Sequence, residues 1–406
     1  MVHFIMINIS TLYAGQLNES DLVRYAKPAD PRDIRPIVVM NLTRRCNLRC
    51  IHCYSDSDGR LAPGELTTDE VRAVLEDLAA YGVKFVLFSG GEPLTRPDIF
   101  DLARHAIRLH LRVTLSTNGT LITPKMARKI AEAGFSYVGV SFDGLGAVND
   151  AFRGAPGAFE QAKRGMRHIA ALGVRAGLRL TLTKHTVDDL DSVLQFIEQE
   201  PISRACFYHL AYAGRGDLIR PDDLPAWKRR AAIDKLCEVA RRFADGDVRK
   251  EIMTVDNHSD GPYLYLKLLG ENPVRAAQVK ERLERHGGAR TSSGVGLAEI
   301  DWAGHIHPDQ FSMHRTIGSV RTTPFSQIWS NPVDPYHRQL QDRLAHLKDR
   351  CAGCRFKTMC GGGLRCRAEA ATGDPWAPDP ACLLTDDEIS PESPAEPAGA
   401  IAERRS

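Results

Sequence analysis

Six short runs rich in β-branched and aromatic residues, each followed by an amphipathic stretch, constrain this chain more than any other feature. The runs are PIVVMNL, KFVLFSG, RVTLSTNG, SYVGVSFDG, AGLRLTLTK and RACFYHL. They read as buried strands, and the stretches between them as helices. The best-marked helix is predicted over 67–80. Thr67 and Glu70 form a capping box there, and Val71, Val74, Leu75 and Leu78 share one face. Strand–helix repeats imply a parallel sheet with right-handed crossovers. Six units are too few to close an ordinary eight-stranded barrel. The predicted fold class is therefore α/β, a partial (β/α)6 TIM-like barrel whose open mouth admits a large substrate. Functional residues in such sheets collect at the C-terminal ends of the strands.

The loop after the first strand carries Cys46, Cys50 and Cys53 in the run NLTRRCNLRCIHCYSD. Three thiolates so spaced can wrap one loop around three corners of a cubane iron–sulfur cluster, leaving the fourth iron without a protein ligand. An open position distinguishes a catalytic metal site from a structural one. The competing reading is a zinc knuckle, with His52 as a strained fourth ligand. After the second strand comes Ser89-Gly90-Gly91-Glu92-Pro93. Its glycines let the backbone approach a ligand closely, and Glu92 offers a carboxylate to a cation.

The chain has 406 residues, enough for a large core and two domains. A net charge of +2 gives no reason to invoke nucleic acid or a membrane surface. The N-terminal MVHFIMINIS lacks the basic flank and cleavage site of a signal peptide. No apolar run reaches the ~18 residues of a membrane span. Most of the ten cysteines fall into two groups, which points to metal in a reducing compartment, and the expected location is cytoplasmic.

The CxxxCxxC loop followed one strand later by Gly-Gly-Glu-Pro resembles the radical S-adenosylmethionine (radical SAM) superfamily. The resemblance implies a [4Fe–4S] cluster on Cys46, Cys50 and Cys53, with SAM chelating the open iron. It implies that Gly90, Gly91 and Glu92 hold the methionyl amino group and that Tyr54 neighbours the adenine. An electron from the cluster then cleaves SAM to methionine and a 5′-deoxyadenosyl radical. Ser116, Thr117 and Asn118 in STNG and Ser141 and Asp143 in VSFDG present polar groups at the barrel mouth, and Arg153 can reach the SAM carboxylate. Asn118 and Asp143 can equally form turns with the glycines beside them.

A second group comprises Cys351, Cys354 and Cys360, with Cys366 and Cys382 downstream. A zinc ribbon competes for this pattern. The arrangement resembles the C-terminal auxiliary-cluster (SPASM-type) extension of radical SAM enzymes. The full extension has two further cysteines around a preceding hairpin. In IDWAGHIHPDQF there are none, and Asp309 stands near one lost position. The resemblance implies a single auxiliary [4Fe–4S] cluster on Cys351, Cys354, Cys360 and Cys382, with Cys366 structural. Cys206 and Cys237 read as small buried hydrophobes.

TGDPWAPDPACLLTDDEI, HPDQF and FYHLAYAGRG narrow the resemblance to radical SAM enzymes acting on siroheme-derived tetrapyrroles. The implied activity is oxidoreductase or lyase-type removal of side chains from 12,18-didecarboxysiroheme in heme d1 biosynthesis. The siroheme-dependent heme pathway, with its didecarboxysiroheme deacetylase and heme synthase, is the neighbouring alternative. A peptide-modifying enzyme, an electron-transfer protein and a zinc-binding protein are the others. Arg179, Arg215 and Arg220 are candidate contacts for substrate carboxylates, with a surface role the competing reading of each, and His209 is a catalytic candidate as iron ligand or proton donor, with local hydrogen bonding its alternative. Reduced flavodoxin or ferredoxin is the expected electron donor. The expected division is an extension (1–34), the barrel core (35–245), a helical bridge (246–295), a hairpin-led cluster domain (296–388) and a disordered tail (389–406).

Overall fold

The computed structural model describes residues 6–16, 21, 34–246 and 249–390. Its strands are β1 (Met6–Asn8), β2 (Ile37–Asn41), β3 (Phe85–Ser89), β4 (Arg112–Thr117), β5 (Tyr137–Ser141), β6 (Ala176–Leu182), β7 (Arg204–His209), β8 (Glu251–Val255), β9 (Leu297–Ile300), β10 (His305–His307) and β11 (Gly318–Ser319). Strands β2 to β7 are the six runs read from the sequence. They lie in one sheet of order β1-β8-β7-β6-β5-β4-β3-β2-β9-β10-β11. From β8 to β9 all neighbours are parallel, and β1, β10 and β11 close the two edges antiparallel.

The crossover helices cover the outer face. They are α1 (Thr68–Tyr81), α2 (Ile99–Arg108), α3 (Pro124–Ala133), α4 (Gly146–Arg153), α5 (Ala158–Ala170), α6 (Leu190–Gln199) and α7 (Ala226–Asp245). The capping box of α1 forms as read: Thr67 Oγ1 accepts from Glu70 N, and the Glu70 carboxylate accepts from Thr67 N. Val71, Val74, Leu75 and Leu78 are buried, each contributing roughly 1.5–3 kcal/mol by leaving water. Strand alternation sorts the residues. Val138 and Val140 of β5 join the main core under the helices, whereas Tyr137 and Ser141 face hollows inside the barrel.

The stretch expected to be a helical bridge opens instead with β8. EIMTV is buried along its whole length and pairs in parallel with β7, which accounts for its apolar, β-branched composition. Only then come helices α8 (Asp260–Glu271) and α9 (Pro273–His286). β1, within the expected N-terminal extension, pairs with β8 through Met6–Val255 and Asn8–Met253. The hairpin turns at Gly304 as read, and its first strand, β9, also extends the parallel sheet beside β2. The expected tail lies almost wholly outside the described residues. No helix among the described residues is long and apolar enough to cross a membrane.

Candidate active site

The cysteine loop is stitched to the neighbouring strand end by its backbone. Gly91 N donates to Thr43 O (2.8 Å), Glu92 N to Arg45 O (2.8 Å) and Cys46 N to Asp58 O (2.7 Å). The two glycines are required by this approach. Gly90 has φ +127°, and a Cβ there would collide with Thr43 O, while one on Gly91 would collide with Arg45 O. Arg215 clamps the loop from the far side, donating to Cys50 O (2.8 Å) and Ser57 O (2.9 Å) and pairing with Asp56 (2.7 Å). Its charge is thus spent on the loop, which corrects its reading as a substrate contact. Arg220 is likewise engaged, with Ala370 O and Asp217.

The three sulfurs receive donors from their surroundings. Leu48 N donates to Cys46 Sγ (3.4 Å), Ser57 N to Cys53 Sγ (3.4 Å) and Arg153 to Cys50 Sγ (3.6 Å). Asn118 Nδ2 lies 3.8 Å from Cys46 Sγ. Burial pushes the Cys46 thiol up to about 12, with Glu92 and the other two cysteines adding to the rise, and burial also raises Cys50. The buried Cys46 and Cys50 thiols resist becoming anions and need a cation to ionise them, which an iron cluster would supply. Among the described residues no group of three or more His, Cys, Asp or Glu is arranged to hold a single metal ion. A cubane instead takes each thiolate on a different iron. His52 is turned to other neighbours: its ring packs on Phe152 at 4.7 Å, Nε2 lies 3.6 Å from Asp143, and burial lowers its pKa to about 4.

Glu92 is fully buried, and its carboxylate is directed into the scaffold. It accepts from Leu94 N (3.0 Å), Thr117 Oγ1 (2.8 Å) and Asn118 N (2.8 Å). Burial still raises it to about 7. What this strand end leaves for a ligand is backbone. Asn118 forms the turn weighed as its alternative, accepting from Thr120 N at 2.9 Å while its amide faces Cys46. Arg153 pairs with Asp143 (2.5 Å), whose other oxygen accepts from Thr181 N (2.7 Å). Arg153 Nε has no partner.

Beside the cysteine loop, which contributes His52 and Tyr54 to its wall, lies an upper hollow of about 780 Å³ at the C-terminal strand ends, lined also by Ser141, Arg153, Arg179, His209 and Phe311. Tyr54 donates to Asn41 Oδ1 (2.9 Å) and meets Phe311 edge-on at 5.5 Å. His209 Nε2 is held by buried Asp260 at 2.9 Å, which orients the ring. Sequence reasoning missed Asp256, Asp260, Gln310 and Phe311. The polar run VDNHSD directly after an apolar strand was the available signal for the first two.

Cys351, Cys354, Cys360 and Cys382 line a separate apolar hollow of about 340 Å³. Burial and the other three sulfurs hold the Cys360 thiol well above its usual value. Cys366 lies apart, beside Tyr54 and Phe311. Asp309 shapes the hairpin end, accepting from Phe311 N (2.8 Å) and Ser293 Oγ. Cys206 and Cys237 are buried among apolar neighbours, as read.

The family model described as the Radical SAM superfamily matches residues 40–197. The chain is 45% identical to Fe-coproporphyrin III synthase of Methanosarcina barkeri over 95% of this chain and 99% of that one. It is 44% identical to pre-heme d1 synthase of Dinoroseobacter shibae over 88% and 89%. The crystal structure of Streptococcus suis SuiB shares the fold, with TM-score 0.67 at 18% identity over 87% of this chain and 79% of that one. The chain belongs to the radical SAM superfamily, enzymes defined by a [4Fe–4S] cluster and S-adenosylmethionine.

Proposed function

We propose that this enzyme removes carboxylate-bearing side chains from 12,18-didecarboxysiroheme in the branch that makes heme d1. The observation that carries this reading is the upper hollow. It places a guanidinium, Arg179, and an oriented imidazole, His209, in the same chamber as the cysteine loop. The name of the Dinoroseobacter relative supports the substrate class. A second reading, acetate removal to give Fe-coproporphyrin III, is favoured by the near full-length match to the Methanosarcina relative.

In this reading Cys46, Cys50 and Cys53 hold three irons, and the bound cluster and SAM together supply a 5′-deoxyadenosyl radical able to take hydrogen from an unactivated carbon. The backbone of Gly90–Glu92 faces the methionyl amino group, with Tyr54 beside the adenine. Asn118, Ser141 and Arg153 complete the SAM site, Arg153 through its open Nε. Holding the side chain beside that site converts abstraction into an intramolecular step. Cys351, Cys354, Cys360 and Cys382 would hold a second [4Fe–4S] cluster, which would supply electron transfer at that site, and reduced flavodoxin or ferredoxin would be the electron donor. Residues 35–245 with β8 form the radical core, and 296–388 the cluster domain.

The test is anaerobic turnover of cluster-loaded protein with SAM, reductant and didecarboxysiroheme, read by product mass. Loss of propionate fragments is the expected result, loss of acetate fragments selects the second reading, and an unchanged substrate mass overturns both. Metal analysis should find about eight irons and little zinc.

A further inference from the structure

Below the upper hollow the barrel contains a second, of about 1200 Å³, which opens near the N-terminal strand ends where Arg112 and Arg175 stand. The two hollows share six residues: Val39, Leu87, Arg179, Tyr208, Asp256 and Gln310. At this waist the polar groups are conspicuously unpaired. Arg179 donates to Ser116 Oγ, but its Nε has no partner, and it makes no ion pair among the described residues. Asp256 is 1% exposed, and among the described residues neither its carboxylate oxygens nor Gln310 Oε1 has a hydrogen-bond partner. Buried polar atoms left open in this way are costly unless something else pairs with them.

The space for the guanidinium is built into the sheet. Gly139 lies in the middle of β5, and a Cβ on it would collide with Arg179 Nε. Arginines elsewhere in the lower hollow are already occupied: Arg204 pairs with Glu251, and Arg112 stacks on Phe85. Arg367, the other cation near Asp256, is neutralised by Asp379 and gives Asp256 only a bond to its backbone oxygen. Arg179 is therefore the cation of the waist without a counter-charge.

We propose that the waist is the carboxylate subsite of the substrate: Arg179 takes the carboxylate of a tetrapyrrole side chain that reaches down the barrel axis, and the Asp256 carboxyl closes on it from the facing side. This rests on the tetrapyrrole reading above. A guanidinium that lines both hollows and makes no ion pair among the described residues suits a carboxylate. Burial pushes the Asp256 carboxyl up to about 8, with Arg367 and Arg179 opposing and Asp309 reinforcing the rise. At neutral pH it is a hydrogen-bond donor rather than a repelling anion. Tyr208 is the remaining titratable group at the waist. It stays a neutral phenol because burial raises it.

The experiment is an equilibrium titration of full-length, cluster-loaded protein with 12,18-didecarboxysiroheme and with its methyl ester, followed by tetrapyrrole absorbance, with SAM affinity measured in parallel. Wild type should bind the acid more tightly than the ester. Arg179→Gln should weaken acid binding roughly tenfold or more and erase that preference. Gly139→Ala, which displaces the guanidinium but keeps its charge, should act in the same direction. Arg112→Gln, at the lower rim, should shift acid binding by less than about twofold. Acid affinity of wild type should fall as pH rises through about 8, and the Asp256→Asn variant should lack that fall. Arg179→Gln and Gly139→Ala variants that retain wild-type acid binding, or that lose SAM affinity instead, overturn the subsite while leaving the substrate class standing. Wild type binding neither form overturns the substrate class and the subsite with it.

Discussion

The two cysteine groups are built on opposite plans. Cys46, Cys50 and Cys53 sit on one loop at the strand ends, with donors from Leu48, Ser57 and Arg153 reaching the sulfurs and a large hollow of mixed lining beside the loop. Cys351 lies in one short helix with Cys354 just past its end, Cys360 ends the next, and Cys382 closes a later turn; together they line an apolar hollow less than half that size. Three ligands would leave a position for a substrate or cofactor, whereas four would not. On the proposed reading, the contrast goes with bond-breaking chemistry at the first group and electron storage or relay at the second.

The sharpest way to break this contrast is to remove one ligand from each group. Cys46→Ala should abolish 5′-deoxyadenosine formation and cost about four irons. Cys382→Ala should also lower the iron content, yet SAM should still bind; loss of SAM binding there would merge the two roles. Glu92→Ala acts on the scaffold of the first group. It orphans the buried donors of Leu94 and Asn118, at about 1–3 kcal/mol each, and should lower the melting temperature and cluster loading together.

The same residue gives a pH test. Burial raises Glu92 from 4.5 to about 7, so the folded state holds its proton more tightly than the unfolded chain. Its contribution to stability is present below about 4.5 and is lost as pH rises to about 7, by up to about 3 kcal/mol. The melting temperature of cluster-free wild type should show this decline, and Glu92→Gln should lack it. The smallest effect is expected for Arg215→Ala, about 1 kcal/mol from lost bonds to Cys50 O and Ser57 O, read as slower cluster loading with near-normal melting.

The parts legible in the sequence are those whose cause is local. Six strands, the capping box of Thr67 and Glu70, the hairpin turn at Gly304 and the first cysteine group each announce themselves within about a dozen residues, and the second cysteine group from Cys351 to Cys382 within about thirty. β8 was hidden because EIMTV, a five-residue run with only three apolar residues between charged helical stretches, fits a helix as well as a strand. The parallel pairing of β9 with β2 joins residues far apart in the chain, and no local pattern encodes it. Arg179 looked like a strand-end surface residue. Only strand register, together with the absent Cβ of Gly139, places it inside the barrel. Glu92 was legible as important but not as buried, since its three donors come from two different strand ends.

The most direct test of unlike roles is the electron paramagnetic resonance spectrum of the reduced protein with and without SAM. SAM should change the signal of the cluster held by Cys46, Cys50 and Cys53 and leave the other signal unaltered, so the Cys46→Ala variant should show one cluster that ignores SAM. A SAM-dependent change that survives in Cys46→Ala and disappears in Cys382→Ala would contradict the assignment outright.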